Sequence, residues 1–296
     1  MTLDQLRYFL AVCKYDGVSR AAEILNISQP SVSNAIGNLE KEFGVELFTR
    51  QRKRLLLTEK GRVMSELAEK LLLQADDTIR IMRELGCNTR VLRLGIPPMI
   101  GALLLPVLYD KHFTLYPQLK VRIVEDDNSG LKRLLAENQI DMAFLPHTHP
   151  FGSDLCAQPL TELQNVCCVH KSHRFAAQKT VRLEDLRDEP LVLFKNSFFQ
   201  TERILDKFSN LYITPNVLLD TAQLPIMQNM IAKKVAVGFM FEFLTKTTPD
   251  LVGIPLDPPM TTLVSLVWKK SNYLSRDMKN LIEFIKKMQE DICTVH

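Results

Sequence analysis

The stretch SRAAEILNISQPSVSNAIGNLEKEFG, residues 19–44, decides the fold of the N-terminal part of the chain. Within it, Ser28 can cap a helix whose first turn contains Gln29 and Pro30, because a proline in that turn lacks only an N–H that has no partner inside the helix. On a helical wheel, the apolar residues that follow fall within about 40° of one another and form a stripe suited to burial. The stripe consists of Val32, Ile36, Leu39 and Phe43.

The opposite face of the same helix carries small polar side chains. Asn34 lies there, with Ser31 and Ser33 on its flanks. The face is either an ordinary solvated surface or one that can approach another molecule closely, since short side chains leave the approach unhindered. An asparagine amide is suited to the adenine edge in the major groove of DNA. The neighbouring segments favour the second interpretation.

The segments before this helix predict two more helices. Apolar residues within positions 3–13 repeat at the i, i+3, i+4 spacing of an amphipathic helix, which we expect to end near Asp16. Ser19 can cap a second, short helix, and Asn26 can end it. The polar-faced helix is therefore the third of a compact helical group.

After Gly44, the segment VELFTRQRKRLLLT contains two short β-prone runs, residues 45–49 and 55–57, joined by the basic sequence RQRKR. This pattern predicts a hairpin with positive charge at its tip. Two helices, a third with a polar face, and a basic hairpin, in this order, are typical of a winged helix-turn-helix domain. We assign residues 1–58 to such a domain.

The distribution of charge agrees with nucleic-acid binding by this domain. The whole chain of 296 residues has a net charge of +3, and residues 1–62 account for all of it, with ten Lys and Arg against seven Asp and Glu. The dense basic run is Arg50–Arg54. A basic patch on a small domain is the electrostatic footprint expected of DNA contact, although solvated charge runs are the commoner cause of such clusters.

A long helix is predicted to follow the hairpin. Thr58 can cap it, and the next proline is Pro97. Its apolar residues alternate spacings of four and three, as in a heptad seam, and a seam without a partner would expose apolar surface. We therefore predict a linker and dimerisation helix at residues 59–89, with packing against the chain's own C-terminal part as the alternative. The seam consists of Met64, Ala68, Leu71, Ala75, Thr78, Met82 and Leu85.

From residue 91 onward, strand-like and helix-like segments alternate. VLRLGI, KVRIVE and DMAFL form one series, and NVCCVH, LVLF, NVLLD and VAVGFM form another. Strands separated by helices of this length indicate βαβ units and mainly parallel sheets, one for each series. We predict an α/β fold with two lobes, at about residues 90–161 with 267–296 and about 162–266, and with a ligand crevice at the carboxyl ends of the strands.

The pattern AAE-L-N-SQP-S-S-I--LE---G--LF-R, which starts at Ala21, carries a family resemblance together with Thr58 and Gly61 after the hairpin. It closely resembles the N-terminal domain of LysR-type transcriptional regulators. The rest of the chain is similar to the two-lobed effector domain of that family in length, strand order and the segments DEPLVLF and VAVGFM. That effector domain in turn resembles periplasmic binding proteins.

The resemblance implies a transcription regulator that is not an enzyme and needs no cofactor. Its implied partners are double-stranded promoter DNA, a small-molecule effector of unknown identity and a second copy of the chain, as a homodimer or homotetramer, with RNA polymerase as a further candidate. Many family members have Arg where this chain has Asn34, so we expect the base contacted there to be adenine instead of guanine. The DNA-contacting residues carried over from the family are Gln29, Pro30, Ser31, Ser33, Asn34, Arg50, Arg52 and Lys53.

The effector crevice departs from the family pattern. The family often has Ser or Thr just after the first strand of the effector domain, where a hydroxyl and the N–H groups of a helix start can bind a carboxylate. Here Pro98, Met99 and Ile100 supply no hydroxyl, and a proline donates no N–H. This favours a more apolar or aromatic effector, or a response that depends less on a ligand. The polar residues predicted to line the crevice are His147, Thr148, Asn196, Ser197 and Thr221.

Other functions receive less support from the sequence. A pyridoxal-phosphate enzyme fused to a winged helix is disfavoured, since the chain has no glycine-rich phosphate loop, GxSxG or HExxH motif. A solute-binding protein is disfavoured by the winged helix. No apolar run approaches the ~18 residues of a membrane span, so we expect a cytoplasmic protein without membrane contact.

Metal binding and thiol chemistry are also disfavoured by the spacing of their candidate residues. Six cysteines occur without CxxC spacing, and we expect Cys167 and Cys168 to lie in a buried strand as reduced thiols. The pairs His147 with His149 and His170 with His173 are at most partial metal sites. We predict loop or surface histidines and no bound metal.

Overall fold

A computed structural model describes residues 1–51, 54–87, 91–117 and 119–294. The chain forms two compact units, Met1–Asn88 and Thr89–His296. Among the helices of these described ranges, none combines the length and the apolar character that crossing a membrane requires.

The first unit consists of three helices, a hairpin and a long fourth helix. Ser28 caps the third helix, since its hydroxyl accepts a hydrogen bond of 3.3 Å from the N–H of Ser31. Asp16 and Asn26 end the first two helices in left-handed conformations, with φ of 51° and 54°, so these predicted boundaries are confirmed. The elements are α1 (Leu3–Tyr15), α2 (Val18–Leu25), α3 (Gln29–Phe43), β1 (Phe48–Gln51), β2 (Arg54–Leu57) and α4 (Glu59–Cys87).

Two local predictions in this unit are wrong. Helix α2 begins at Val18 and its N-cap is Gly17, which forms no side-chain cap, so Ser19 lies inside the first turn instead of capping it. Phe43 is 47% exposed, although Val32 and Leu39 in the same predicted stripe are fully buried. Phe43 is the last residue of α3, and the buried stripe therefore ends one turn before the helix does.

The apolar residues of α4 are divided between the domain core and the surface. Ala68 is 2% exposed and packs with Leu6 and Phe9 of α1, and Met64 packs against the same cluster. An ion pair of 2.7 Å between Arg7 and Asp76 also joins α1 to α4. Ala68 is therefore covered by the chain's own core instead of forming part of a free seam, and Met64 is partly covered by the same cluster.

The rest of the seam lies outside that core. Leu71 and Met82 are exposed, Ala75 is half-buried, and the exposed Thr78 donates a hydrogen bond to a backbone carbonyl of its own helix. The side chain of Leu85 lies outside the described residues. Among the described side chains of α4, the large apolar ones that are exposed are Val63, Leu67, Leu71, Ile79 and Met82. At the N-terminal end of α4, the exposed apolar face therefore contains Val63 and Leu67 instead of the predicted Met64 and Ala68.

The second unit is a mixed sheet of eight strands with helices around it. The strands are β3 (Val91–Ile96), β4 (Lys120–Glu125), β5 (Met142–His147), β6 (Leu155–His170), β7 (Leu191–Phe194), β8 (Val217–Thr221), β9 (Val237–Phe241) and β10 (Leu251–Lys269). Their order in the sheet is β4-β3-β5-β10-β6-β9-β7-β8. The helices are α5 (Pro98–Val107), α6 (Asn128–Ala136), α7 (Phe199–Asn210), α8 (Leu224–Ala232), α9 (Glu242–Thr247) and α10 (Arg276–Thr294), with a short 3-10 helix at Leu183–Leu186. After α5, the chain continues through a π-helical turn, Leu108–His112, and a 3-10 turn, Phe113–Leu115.

The two lobes share one sheet, which corrects the prediction of two. Strands β6 and β10 are long antiparallel partners that run through both lobes. Strands β3, β4 and β5 are parallel to one another on one side of this pair, and β7, β8 and β9 are parallel on the other. The sequence pattern predicted only one end of each long strand, because polar residues interrupt the apolar runs in the middle.

The register shows where the carboxyl ends of these strands meet. β5 ends at His147, which pairs with Leu263, and Leu263 also pairs with Glu162 of β6. β9 runs in the opposite direction and ends at Phe241, which pairs with Asn165 of β6. The two ends are therefore three residues apart along β6, about 10 Å. In both lobes, the carboxyl ends of the parallel strands therefore lie near the middle of β6 and β10.

Candidate DNA-binding face and effector pocket

The N-terminal end of α3 exposes the side chains predicted to contact DNA. Gln29, Pro30, Ser31, Ser33 and Asn34 are all exposed. The Ser31 hydroxyl lies 2.7 Å from that of the capping Ser28, so one of its hydrogen-bonding positions is already used at the helix start. Gln29, Ser33 and Asn34 present their polar groups outward from the first two turns of the helix.

The opposite side of α3 is held by close packing on α2. Val32 and Ile36 contact Ala21 and Ala22 in one buried cluster. Both alanines are at most 4% exposed, and a short side chain lets the two helices approach closely. This packing fixes which face of α3 remains at the surface.

Glu40 attaches the hairpin to α3. Its Oε1 accepts hydrogen bonds from the backbone N–H groups of Leu47 (2.7 Å) and Phe48 (3.3 Å). Leu47 is 1% exposed, so its N–H would lack a partner without this carboxylate. The first strand of the hairpin therefore has a fixed position relative to the exposed face of α3.

Thr58 and Gly61 attach the other end of the hairpin to α4. The Thr58 hydroxyl donates to the carbonyls of Glu46 (2.7 Å) and Leu47 (3.2 Å) and accepts from the N–H of Gly61 (2.9 Å). A Cβ at position 61 would lie 2.2 Å from the Leu47 carbonyl oxygen. Glycine is needed there because the start of α4 touches the backbone before β1.

The hairpin itself is present as predicted. Arg50 of β1 pairs with Leu55 of β2, and Gln51 pairs with Arg54. Arg52 and Lys53, two of the predicted DNA contacts, lie outside the described residues, as does the side chain of Arg50. The described strands nevertheless bring the ends of the basic run together.

An apolar pocket lies in the second unit where the strand ends of the two lobes meet. Its cavity volume is about 30 Å³. The carboxyl ends of β5, β7 and β9 and the residue after β3 contribute to the wall, together with the starts of α5, α6 and α7. The wall consists of Pro97–Ile100, Pro146, Phe194, Phe198, Phe199 and Phe241, with Asn128 and Gln200 as its polar members.

The predicted crevice residues fall into two groups. Pro98, Met99 and Ile100 line the pocket, but the five polar candidates are not part of its wall. Thr148, Asn196 and Ser197 are exposed. Thr221 is buried and its hydroxyl accepts a hydrogen bond of 3.1 Å from the N–H of Gln223. Each lies at or just after a strand end, but outside the pocket wall.

His147 is held within its own lobe. Its Nδ1 lies 3.0 Å from the carbonyl of His149, and its Nε2 lies 2.8 Å from the hydroxyl of Ser265. Because a carbonyl can only accept, Nδ1 carries the proton and Nε2 accepts from Ser265. Burial lowers the pKa of His147. The imidazole is therefore a neutral structural group.

The polar members of the pocket wall differ in their hydrogen bonding. Gln200 is 4% exposed, and its Nε2 donates to Oδ1 of Asn165 at 2.7 Å. Asn165 in turn donates to Thr262 at 2.9 Å. Asn128 is 7% exposed, and among the described residues its Oδ1 has no hydrogen-bond partner. The wall thus contains one amide that donates a hydrogen bond within the core and one with an unpaired acceptor.

An open cleft borders the same turn of α5 on its other side. Its volume is about 490 Å³, and Pro98 lines both the cleft and the pocket. Leu105 and Leu224 form part of its apolar wall, and Glu125, exposed at the end of β4, is its charged member. A ligand of ordinary metabolite size fits the cleft, whereas the pocket is contracted.

Comparison with known proteins agrees with both parts of this description. Residues 3–62 match the family model of the bacterial regulatory helix-turn-helix proteins of the lysR family, and residues 87–290 match that of the LysR substrate binding domain. The chain belongs to the LysR family of transcriptional regulators.

Relatives match the chain over nearly its whole length. It is 27% identical over 291 residues to YwbI, an uncharacterised HTH-type transcriptional regulator of Bacillus subtilis, with 97% of this chain and 96% of the relative covered. It is 28% identical over 290 residues to GltC, a transcriptional dual regulator of the same organism, with 96% of each covered. The crystal structure of HinK, a LysR family regulator from Pseudomonas aeruginosa, is 25% identical with a TM-score of 0.56 and covers 98% of this chain and 99% of that one.

The cysteines of this LysR regulator that the structure describes do not form a reactive pair. Cys167 and Cys168 are fully buried, as expected for neighbours in a strand. Burial raises the pKa of both thiols, that of Cys168 to about 12, and it raises the pKa of Cys13 to about 11. Within the described ranges, no group of three His, Cys, Asp or Glu side chains is arranged to hold a metal ion.

Sequence reasoning missed most of the pocket wall of this LysR regulator. Phe194, Phe198 and Phe199 come from the segment LFKNSFFQ, in which the polar residues drew attention and the aromatic ones did not. Asn128 was missed because it opens α6 inside a run of polar residues. The available signal was position: Phe194 ends β7, and the other three lie at the starts of the helices that follow β7 and β4.

Proposed function

We propose that the exposed N-terminal end of α3 enters the major groove of promoter DNA and that the hairpin contacts the adjacent backbone. The observation that carries this proposal is the exposure of all five predicted contact residues on one end of a helix whose other face is buried. Side chains on a recognition helix specify bases, while phosphate contacts fix position and affinity. Gln29, Ser33 and Asn34 are the candidates for base contact.

Asn34 provides the test of this proposal. Its amide can pair with adenine through N6 and N7, and such a pair contributes about 1–3 kcal/mol of discrimination against the wrong base. We expect Asn34→Ala to lose the preference at one base pair and to bind other sequences with nearly unchanged affinity. A binding-site selection with the full-length protein measures this directly.

The matched control is Asn216→Ala, an exposed asparagine of the second unit. It should return the same selected sequence as the parent protein. If Asn34→Ala and Asn216→Ala both reproduce the parent sequence, Asn34 contacts no base and the proposed orientation of α3 is wrong. Arg50, Arg52 and Lys53 are proposed as phosphate contacts, which would act on affinity at every sequence alike.

We propose further that the pocket between the lobes is the effector site. Supporting observations are its place where the strand ends of both lobes meet and the contribution of both lobes to its wall. A ligand that contacts both lobes binds one lobe arrangement better than another, and this difference in affinity is what shifts a conformational equilibrium. The proposed division is a DNA-binding domain at 1–58, a linker helix at 59–89 and an effector domain at 90–296.

We propose the exposed apolar face of α4 as the surface through which two chains associate. Val63, Leu67 and Leu71 are 55%, 57% and 41% exposed, at spacings of four residues. Such a row on a helix is suited to pair with a copy of itself. This surface accounts for a homodimer; a homotetramer would need a further interface, and RNA polymerase is proposed as a partner on the family resemblance alone.

A further inference from the structure

We infer that the effector is an uncharged, largely aromatic molecule that donates a hydrogen bond to Oδ1 of Asn128. This inference rests on the proposed effector site and specifies the class of ligand that the site takes. Three independent features of the described residues lead to it: the unpaired acceptor, the apolar wall and the acidic surroundings.

The unpaired acceptor defines where the ligand is polar. Oδ1 of Asn128 is buried and has no hydrogen-bond partner among the residues that the structure describes, and the residue lines the pocket. A buried acceptor without a donor is costly for the protein, so such groups in a binding site are completed by the ligand. An internal water would need two or more polar partners, and the wall is otherwise almost wholly apolar. A hydroxyl or ring N–H of a ligand satisfies the acceptor with one bond.

The wall defines the rest of the ligand. Four of its members are phenylalanines, with the rings of Phe194 and Phe198 4.9 Å apart. The cavity of about 30 Å³ is smaller than the roughly 150 Å³ in which an engineered protein site binds benzene. Phe198 and Phe199 are only half-buried, so they are the side chains that can move outward. A flat ring that enters then lies against aromatic faces and edges.

The charges around the pocket exclude an anion. No Lys, Arg or His belongs to the described wall of the pocket. Asp126 and Asp127 directly precede Asn128, and their carboxylates accept hydrogen bonds from backbone N–H groups. Glu125 lies in the neighbouring cleft. A carboxylate ligand would pass these like charges and lose its hydration without a cation to replace it.

Two cations close in sequence to the pocket wall do not line it. Arg203 donates to the carbonyl of Thr261 at 2.6 Å and to the hydroxyl of Thr262 at 2.9 Å. Lys195 is exposed and belongs to neither wall. Pro97 and Pro98 remove two N–H donors from the start of α5. A cationic ligand would be attracted to the acidic cleft, but desolvation in the apolar pocket disfavours it.

Three ligands of matched shape test the inference by isothermal titration calorimetry on the full-length protein. Indole donates an N–H, benzofuran has the same shape without a donor, and indole-2-carboxylate adds a negative charge. We expect indole to bind about tenfold more tightly than benzofuran, since one hydrogen bond to a buried acceptor contributes roughly that factor. Indole-2-carboxylate should bind more weakly than either.

Asn128→Leu assigns the preference to the proposed atom. In this variant, indole and benzofuran should bind within about twofold of each other, and the unliganded protein should be at least as stable as the parent, because an unsatisfied buried group is removed. Asn196→Leu, at an exposed position outside the wall, should keep the tenfold preference. A loss of stability in Asn128→Leu with an unchanged preference would show a purely structural role and overturn the inference.

Other outcomes also overturn it. Equal binding of indole and benzofuran by the parent protein, tightest binding of the carboxylate, or no binding of any of the three each contradicts the proposed ligand class. The effector site itself is tested without a ligand, by the Met99→Phe substitution described in the Discussion. A changed footprint in that variant together with failed binding here would reject the ligand class and leave the effector site standing.

Discussion

Asn34 and Asn128 have the same side chain and opposite surroundings. Asn34 is exposed on α3, where its amide can form hydrogen bonds with a large partner that approaches from solvent. Asn128 is buried, and its Oδ1 can be reached only by a molecule that enters the pocket. The sequence identified the first because it lies on a helix face with a clear pattern. It could not identify the second, because the pocket wall comes from five separate segments of the chain.

His112 is a second buried group with an unpaired atom, and it gives stability a pH dependence. It is 1% exposed, and its ring contacts Phe113, Tyr116 and Phe284 at centroid distances of 4.9–5.5 Å. Its Nε2 has no partner among the described residues. Burial lowers the pKa of His112, and the carboxylate of Asp277 opposes that shift only in part.

We predict that His112→Phe weakens the loss of stability in acid. In the unfolded chain a histidine binds a proton as the pH falls through about 6.5, whereas in the folded protein His112 binds it only at lower pH, because burial lowers its pKa. The free energy of unfolding therefore falls as the pH drops below about 6.5, with a limiting slope of about 1.4 kcal/mol per pH unit for one proton. Phenylalanine fits the aromatic surroundings and binds no proton, so this contribution to the slope disappears.

Urea unfolding followed through Trp268 measures this slope, because the chain has one tryptophan and it lies in the core of the second unit. His149→Phe, at an exposed position, is the control and should leave the slope unchanged. His147 contributes a slope of the same sign, since burial also lowers its pKa, so part of the dependence remains in His112→Phe. Identical slopes in His112→Phe and the parent would show that folding does not lower the pKa of His112.

At the scale of elements, the hairpin is positioned from both ends. Glu40 holds its start on α3, and Thr58 with Gly61 holds its end on α4. The motif of threonine and glycine that carried the family resemblance thus has a physical cause, which is the contact between the first turn of α4 and the Leu47 carbonyl. That carbonyl cannot move freely, since it accepts hydrogen bonds from both the N–H and the hydroxyl of Thr58.

Gly61→Ala should therefore destabilise the first unit. Its Cβ would lie 2.2 Å from the Leu47 oxygen and 2.8 Å from Cδ1 of Leu57, and relief of such overpacking costs about 1–3 kcal/mol. Gly86→Ala is the matched control in the same helix, with nothing within 4 Å of the added Cβ. It should stabilise α4 by up to about 1 kcal/mol. Hydrogen exchange of the α1 and α3 amides reports both effects, and equal protection in the two variants would contradict the predicted contact.

The elements also show how far the sequence alone could lead. Helices α1 to α3 were predictable because their ends carry local signals, such as Ser28 at a start and Asn26 at an end. The prediction of Ser19 as a cap was wrong because the backbone conformation decides which residue is the N-cap, and in α2 that residue is Gly17. The outward face of α4 was not predictable from its own spacing, since α1 determines which of its apolar residues are buried. Strands β6 and β10 were predicted at one end only, because their middle parts carry polar residues such as Asn165 and Thr262.

At the scale of the whole second unit, the shared strands connect the pocket to both lobes. Gln200 in the pocket wall donates to Asn165 of β6, and Asn165 donates to Thr262 of β10. Asn165 and Thr262 lie where β6 and β10 pass from one lobe to the other. Within the described sheet, β6 and β10 are the only strands that belong to both lobes. A change in the contents of the pocket therefore acts, through Gln200, on hydrogen-bonded side chains in the middle of these two strands.

This arrangement predicts that filling the pocket can replace the effector. Met99 lines the pocket and is 6% exposed, and the larger ring of Met99→Phe can occupy a cavity of about 30 Å³. A hydrophobic exchange of this size usually costs less than about 1.5 kcal/mol, so the variant should fold. We expect it to change the length or position of the operator footprint without any ligand.

Met230→Phe is the control, since Met230 packs against the same core but is absent from the wall, and its footprint should match that of the parent. Three identical footprints would mean that the contents of this pocket do not reach the DNA-binding domain, and the effector site would have to be sought in the open cleft beside α5.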